Sequence, residues 1–275
     1  MRSRATKVEQ PRSSNPDDSG LEWSQHVGFE KMTSTKFHLS LSPLLLVAAL
    51  LQAPVDGCSA EATSALSRAR ARRDRVGTAE AAAALAAGAP AMSSCVPLRV
   101  ASWALAGWRE ARAAAARGGA PEVLGPARAA LDALVEMTSR SSWRVQNDYA
   151  RAAIVAAIAA AQDERDDLGA YLSHARGLAA RLGLAGERAE WPLPIHELEG
   201  ELWLEVDRYS DAREAYQHAI GDGGGASALV GLARVSARLH DEGGACAAYS
   251  RASVHAEGAL AAEARAYLER PACQR

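Results

Sequence analysis

Aromatic residues are rare in this sequence. Two Phe, six Trp and six Tyr make up 5% of its 275 residues. Strand-forming residues in alternation with polar ones are nearly absent as well, which excludes a β-sandwich or an up-and-down barrel. The hydrophobic share is 48%, and much of it is alanine, a small residue with the highest helix propensity. The sequence therefore predicts closely packed helices without a thick core, and the fold class is all-α.

Neither sign of charge is in large excess. The formal net charge is −2 at pH 7, so the chain as a whole does not attract nucleic acid. Basic residues cluster in one short stretch, which contains Arg68, Arg70, Arg72, Arg73 and Arg75. That stretch has no aromatic side chain on which a base could stack. We therefore expect no nucleic-acid partner.

Residues with catalytic or metal-binding chemistry form no recognised pattern. The sequence has no phosphate-binding glycine loop followed by Lys-Ser or Lys-Thr, no GxSxG turn and no HExxH helix. The four cysteines lack the spacing of metal ligands. Four histidines (His174, His196, His218 and His240) recur every 22 residues, which we interpret as coincidence on helix surfaces. No catalytic residue, metal site or cofactor is predicted, and an enzyme would need a site without a known motif.

The first 57 residues are predicted to lie outside the folded body. Residues 1–31 are polar and without periodicity, so we interpret them as disordered or as untranslated, with Met32 as an alternative start. From Met32 the chain runs through Lys36 to an apolar stretch at 44–51 and then to small residues. This is the plan of a secretory signal peptide at 32–57, and its apolar stretch is too short for a comfortable membrane span.

The end of this segment reads Val55-Asp56-Gly57-Cys58-Ser59 and resembles a bacterial lipobox. The resemblance implies that Cys58 is acylated and becomes the mature N-terminus, attached to the membrane of the cell envelope. Asp56 departs from the pattern, because small or apolar residues are usual there. The alternative is ordinary cleavage after Ala60. Acylation of Cys58 would leave Cys95 unpaired.

Residues 58–90 contain the arginine-rich stretch and are predicted to form a solvated Ala/Arg-rich helical tether. Contact between these arginines and anionic lipid headgroups is the alternative interpretation. Positive charge this close behind an apolar run resists translocation, which argues against export. Near the other end of the chain, Cys246 and Cys273 are either a disulfide that staples the last helices together or two buried thiols.

Two segments of the C-terminal half match each other. Residues 211–219 align with 244–252, so that Ala212, Tyr216 and Ala219 each have the same residue type 33 positions later. The spacing Ala-x3-Tyr-x2-Ala places all three side chains on one face of a helix. A small residue at such a position lets a neighbouring helix approach closely, and the tyrosine ring fills the space above it. The pattern predicts two helical hairpins in tandem, at 194–220 and 227–253.

This pattern resembles the tetratricopeptide repeat. Gly200 and Trp203 match the small and aromatic positions of the first helix, and Tyr209 begins the second-helix match. The second copy departs by having Ala233 at the small position, and neither copy has the closing proline. The resemblance implies an α-solenoid of antiparallel helical hairpins, which we expect to span residues 91–270. Residues 167–182 form a weaker third repeat, 183–191 an insertion and 256–269 a capping helix.

Charged residues mark a candidate binding face. Glu197, Glu201 and Glu205 are four residues apart on the first helix of one repeat, and Arg234 and Arg238 are four apart on the first helix of the next. The resemblance places this face in a concave groove that holds peptides. Ion pairs between neighbouring helices, each worth under about 1 kcal/mol, are the other interpretation.

Taken together, these patterns predict a non-catalytic protein–protein interaction scaffold of the cell envelope. It would present a helical-repeat groove to another protein and be attached to the membrane through its lipid. The alternative is a cytoplasmic regulatory or adaptor module held by an uncleaved N-terminal anchor.

Overall fold

The structure is a computed structural model that describes residues 58, 60–77, 81, 95–138, 143–184 and 193–274. The predicted N-terminal extension, the predicted signal peptide, part of the predicted tether and most of the predicted insertion lie outside these residues. All regular secondary structure in the described ranges is helical. The α-helices are α1 (Ala60–Val76), α2 (Val96–Ala115), α3 (Gly125–Thr138), α4 (Arg144–Ala161), α5 (Arg165–Leu184), α6 (Ile195–Glu205), α7 (Tyr209–Gly221), α8 (Ala226–Arg238), α9 (Glu242–Ser253) and α10 (Gly258–Leu268). Short 3₁₀ helices lie at Pro121–Leu124 and Pro271–Cys273.

The all-α prediction is confirmed, and helices α6 to α10 begin and end close to the bounds of the two predicted hairpins and the predicted capping helix. Pro97 lies in the first turn of α2, where a residue without an N–H group costs nothing. After α2, Gly118 adopts a positive φ of 87°, a conformation that glycine reaches without strain. Local signals of this kind fix where helices begin and end, so they can be read from sequence alone.

Helices pack mainly on their neighbours along the chain. Four pairs lie side by side: α2 with α3, α4 with α5, α6 with α7, and α8 with α9. The second helix of each pair also packs on the first helix of the next pair. In addition, the even-numbered helices α2, α4, α6, α8 and α10 contact one another in succession. Side chains from successive even-numbered helices can therefore meet on one face.

The turn inside three of these pairs has the same backbone form. Asp163, Asp207 and His240 each have φ near +60°, the left-handed conformation in which non-glycine residues are uncommon. The N–H of the following residue donates to the carbonyl five positions back in each case: Glu164 to Ala159, Arg208 to Trp203 and Asp241 to Ser236. These are the long hydrogen bonds of a Schellman cap. The three turns are 44 and 33 residues apart, the spacings of the predicted repeats.

Tyr216 of α7 packs between α6 and α8. Its ring is 2% exposed and lies against Gly200 of α6 and Gly231 of α8. A Cβ atom added at Gly200 would lie 2.8 Å from the ring, and one added at Gly231 would overlap it. The small position that matters in α8 is therefore Gly231, and not the Ala233 that the repeat spacing selects.

The described part of the predicted tether, Cys58 and residues 60–77, packs against the other helices. Helix α1 contacts α2, α8 and α10, and Arg73 is 2% exposed. The prediction of a solvated tether is therefore wrong for α1. The reason lies in the helical period: Ala65, Ala69 and Arg73 are four residues apart and share one face, which continues at Val76. Arginines on the other faces, such as Arg72, are exposed as expected.

Two disulfides join the four cysteines. Cys58 pairs with Cys95 and so links the start of α1 to the start of α2, and Cys246 of α9 pairs with Cys273 behind α10. Of the two interpretations for Cys246 and Cys273, the structure shows the disulfide. Cys58 is the residue predicted to carry the lipid. A Cys58 sulfur atom that is bonded to the Cys95 sulfur cannot also carry an acyl group. Lipidation of Cys58 therefore stays a prediction that competes with this disulfide for one atom.

We expect Gly231→Ala to lower the free energy of unfolding by about 1–3 kcal/mol, because the new methyl group must displace a buried aromatic ring. The matched control is Gly177→Ala in α5, where a Cβ atom meets nothing within 4 Å. That variant should gain about 0.5–1 kcal/mol, since alanine is the better helix former. Urea denaturation followed by circular dichroism measures both. Two changes of the same sign would contradict the packing described for Tyr216.

Candidate interaction surface

Charged side chains of opposite sign alternate across the even-numbered helices. We define the charged row as Arg112 of α2, Glu201 and Glu205 of α6, Arg234 of α8 and Glu263 of α10. The side chains of the row are partly buried, with exposed fractions from 15% for Glu205 to 43% for Arg234. Each carries a contact within the chain, and four of the five still reach solvent. Both carboxylate oxygens of Glu205 are buried. The row is therefore a surface of fixed charges that is partly exposed everywhere except at the Glu205 carboxylate.

The α2 end of the row is an arginine bound to two glutamates. The Arg112 guanidinium forms an ion pair with the Glu205 carboxylate, and its Nε lies 3.9 Å from Oε2 of Glu201. Its Nη1 also donates to the Glu201 backbone carbonyl at 3.5 Å. One arginine thus faces two carboxylates, which leaves this end of the row with an excess of negative charge.

The α10 end is a bidentate arginine–carboxylate pair with a tyrosine. Arg234 donates from Nε to Oε1 of Glu263 at 2.7 Å and from Nη2 to Oε2 at 2.5 Å, and the Tyr249 hydroxyl donates to Oε1 at 2.8 Å. Burial raises the pKa of Glu263, but the hydrogen bonds and the charge of Arg234 outweigh it, so the pKa lies below its usual value. Burial and the bond to Glu263 raise the pKa of Tyr249. Glu263 is therefore a fixed anion at neutral pH.

The Tyr216 hydroxyl is set among the charges of the row. Burial raises the pKa of Tyr216 most, Glu201 raises it further, and Arg112 and Arg234 oppose the rise. Charges from both ends of the row therefore act on the Tyr216 hydroxyl. Its raised pKa keeps it protonated at neutral pH, so it stays a neutral hydrogen-bonding group.

Glu197 has a different environment from Glu201 and Glu205. Its side chain is buried, 3.2 Å from Nη2 of Arg73 in α1, and its Oε2 accepts a hydrogen bond from the Ser227 hydroxyl at 2.6 Å. Burial raises the pKa of Glu197, and Arg73 and Ser227 counteract that rise in part. Glu197 was predicted to contact a partner; in this structure α1 covers it, and its role in partner binding stays a prediction.

Arg238 lies outside the charged row. It is exposed and lies near Tyr209, whose pKa is raised by a hydrogen bond to Asp207 and lowered in part by the arginine. The predicted glutamates and arginines therefore do not pair with each other. The glutamates of α6 pair with α1 and α2, and Arg234 pairs with α10. Ion pairs between neighbouring helices were the second interpretation of these residues from sequence. Such ion pairs are observed, but they join residues other than the predicted ones.

A second polar cluster lies on another side of α6 and was not predicted. Glu199 is buried and accepts hydrogen bonds from Nε and Nη2 of Arg176 at 2.9 and 2.7 Å, and its Oε2 lies 3.1 Å from Nδ1 of His196. The His196 ring lies 5.3 Å from the His218 ring. The cluster borders a cavity of about 420 Å³. The 22-residue histidine spacing was the available signal, although the contact involves only one of its three intervals.

No three His, Cys, Asp or Glu side chains in the described ranges are grouped so that they could hold a metal ion. The helices there include none with the length and apolar content needed to cross a membrane. No protein-family model matches the chain, and neither a curated protein nor a solved structure matches it. The resemblances to tetratricopeptide repeats and to a lipobox thus stay predictions.

The Glu263 pair should make stability depend on acid pH. Because the folded-state pKa of Glu263 is depressed, the pair stabilises above the unfolded value near 4.5, and this contribution disappears as pH falls through the folded value. We expect Glu263→Gln to lower the free energy of unfolding by about 1 kcal/mol at pH 7, a figure that allows for solvent screening. The difference from the wild type should narrow as pH falls below 4.5 and close once pH is below the depressed folded-state value. Thermal unfolding from pH 7 to pH 3 measures it.

The matched control is Glu122→Gln, which changes an exposed carboxyl in the 3₁₀ helix before α3. This variant should follow the wild type at every pH. A wild-type advantage over Glu263→Gln that is constant from pH 7 to pH 3 would contradict the depressed pKa.

Proposed function

We propose that this protein is a non-catalytic protein–protein interaction scaffold of the cell envelope and that its partner contacts the charged row. The observation that carries the proposal is the row itself. Fixed charges of alternating sign come from four helices, and all of them except the Glu205 carboxylate remain partly exposed. Such a surface favours a partner segment that carries both signs of charge, because each end of the row can exchange an internal contact for an external one. An acidic segment is disfavoured, since it would meet Glu201 and Glu205.

The packing of the helices supports a tetratricopeptide-like array as the framework for this surface. Successive pairs repeat the same Schellman turn 44 and 33 residues apart, and Tyr216 joins one pair to the next through Gly200 and Gly231. In an array of this kind each unit packs on its neighbours, and the first helices of successive units line one continuous surface. Of the four helices that carry the row, α2, α6 and α8 are the first helices of their pairs, and α10 follows the last pair.

Export is the second part of the proposal. All four cysteines are joined as disulfides, and disulfides persist in oxidising compartments such as the bacterial periplasm. The predicted signal peptide at 32–57 agrees with this location. A cytoplasmic adaptor on an uncleaved anchor, the alternative, would keep its cysteines reduced. Attachment through lipid on Cys58 requires that the Cys58–Cys95 disulfide is not formed in that form of the protein.

Mass spectrometry of the protein purified from its native cells tests export. We expect a mature N-terminus near Cys58, and peptide mapping without reductant should recover Cys58 linked to Cys95 and Cys246 linked to Cys273. An acyl increment on Cys58 together with a free Cys95 thiol would show the lipidated form instead, still exported. An intact N-terminus with four free thiols would contradict export.

Exchanging the charges of one pair in the row tests the binding face. In Arg234→Glu/Glu263→Arg the two residues can still pair with each other, so the fold should be retained while the charges presented to a partner are reversed. We expect at least a tenfold loss of partners recovered by cross-linking and quantitative mass spectrometry, the equivalent of about 1.4 kcal/mol. The matched control is Arg208→Asp/Asp211→Arg, which reverses an exposed pair elsewhere, 2.8 Å apart, on the loop and start of α7.

Recovery of the same partners at the same level by both double variants would contradict a role for the row. Loss of all partners in the control as well would show that binding depends on surface charge outside the row, and would contradict a specific role for the row. Circular dichroism and thermal unfolding establish beforehand that each double variant is folded.

A further inference from the structure

The contact between α1 and the remaining helices has the form of a helix bound in a polar site. We define the α1 seat as Glu197 of α6, Gly225 and Ser227 at the start of α8, and Glu257 and Leu260 at the start of α10. All five lie at or next to the N-terminal ends of even-numbered helices. The C-terminal half of α1 crosses these ends, so the seat is built from parts of the chain more than a hundred residues away from it.

Charge accounts for much of the fit between α1 and its seat. Arg73 enters the seat and pairs with the buried Glu197, whose other oxygen is bound by Ser227. Arg75 lies 3.2 Å from Glu257, and the Arg75 carbonyl accepts a hydrogen bond from the Glu257 N–H at 2.9 Å. The last turn of a helix carries a partial negative charge, and the first turn of a helix carries a partial positive one. The partial charges of the helix ends and the full charges of the side chains are thus both complementary between α1 and its seat.

Apolar contact at the seat is small by comparison. Ala65, Ala69 and Val76 supply the buried or half-buried apolar side chains on the face of α1 that includes Arg73. Gly225 allows the close approach, because a Cβ atom there would lie 2.8 Å from Cβ of Asp74. Small side chains bury little surface, so hydrophobic burial holds this helix weakly compared with the contacts among the other helices, which also include leucine, isoleucine and aromatic side chains. The Cys58–Cys95 disulfide supplies a covalent link at the opposite end of α1.

We propose that the α1 seat is an acceptor site for an alanine- and arginine-rich helix of a partner protein, and that α1 occupies it within the chain. The required partner segment has small residues four apart followed by an arginine at the next interval, as in Ala65, Ala69 and Arg73. Its arginine replaces Arg73 at Glu197, and its last turn meets the start of α10. This inference rests on the proposed scaffold function and names the class of partner. It concerns the seat and not the charged row.

The tethered α1 excludes such a partner until it is weakened. A helix attached to the same chain is present at an effective concentration in the millimolar range, so a free helix of equal affinity competes poorly. Substitution of Arg73 by glutamate would place a carboxylate against Glu197 and open the seat. Arg72→Glu makes the same charge change at the adjacent exposed position and is the matched control.

Peptide binding to the full exported chain, with both disulfides formed, tests the proposal. The probe is a fluorescein-labelled peptide of residues 60–77, and fluorescence anisotropy measures its affinity. We expect the Arg73→Glu chain to bind it about 100-fold more tightly than the wild-type or Arg72→Glu chain does. A peptide carrying Arg72→Glu should bind the opened chain as the unmodified peptide does, and a peptide carrying Arg73→Glu should not.

Equal affinity of the two substituted peptides for the opened chain would overturn the proposal, as would absence of binding in a chain that is folded by circular dichroism. Dimerisation of the wild-type chain through exchanged α1 helices would overturn the assignment to a different protein. None of these results bears on the proposed function of the charged row, because the Arg234–Glu263 exchange tests that surface separately.

Hydrogen exchange on the wild-type chain keeps the proposal testable if Arg73→Glu does not fold. The amide groups of α1 are expected to exchange at least about tenfold faster than those of α6 to α9, because a displaceable helix opens without unfolding its seat. Protection of α1 equal to that of α6 to α9 would make it a fixed part of the fold and overturn the proposal.

Discussion

The contact of the Tyr216 ring with Gly200 and Gly231 is the constraint on which the arrangement of the C-terminal helices depends. It lets α6 and α8 approach the same aromatic side chain from either side, and it leaves no space for a methyl group at either glycine. Because the ring comes from α7, three helices from two successive pairs are fixed by one residue. The hydroxyl at the end of that ring then lies among charges from α2, α6 and α8. Core packing and surface chemistry are therefore set by the same side chain.

Helix bounds and the existence of paired helices were predictable, because the signals for them are local. A proline such as Pro97, a glycine such as Gly118 and the Ala-x3-Tyr-x2-Ala spacing each act within a few residues. Helices α6 to α10 begin and end close to the bounds of the predicted hairpins and capping helix. The identity of the glycine that receives the Tyr216 ring was not predictable from the repeat spacing. It depends on how far α8 is rotated about its own axis, and that rotation is decided by packing between helices. Spacing selected Ala233, two positions away from Gly231.

The largest difference between the sequence prediction and the structure concerns the ion-pair partners of the α6 glutamates, and the reason is physical. Glu197 and Arg73 are separated by 124 residues, so no short pattern connects them. An arginine among alanines also has the composition of a solvated helix, and burial of such a residue is seldom expected unless a carboxylate is known to face it. The helical period did place Ala65, Ala69, Arg73 and Val76 on one face. Because Arg73 is charged, the sequence predicted that this face would be exposed, whereas it is the buried face.

The distance along the chain between α1 and its seat has a consequence for the order of assembly. During synthesis or vectorial transport α1 emerges well before Glu197, Glu257 and Leu260. Contacts of high sequence separation form late, since loop closure must precede them. The nascent chain thus exposes the Arg73 face of α1 to chaperones until α6, α8 and α10 have emerged.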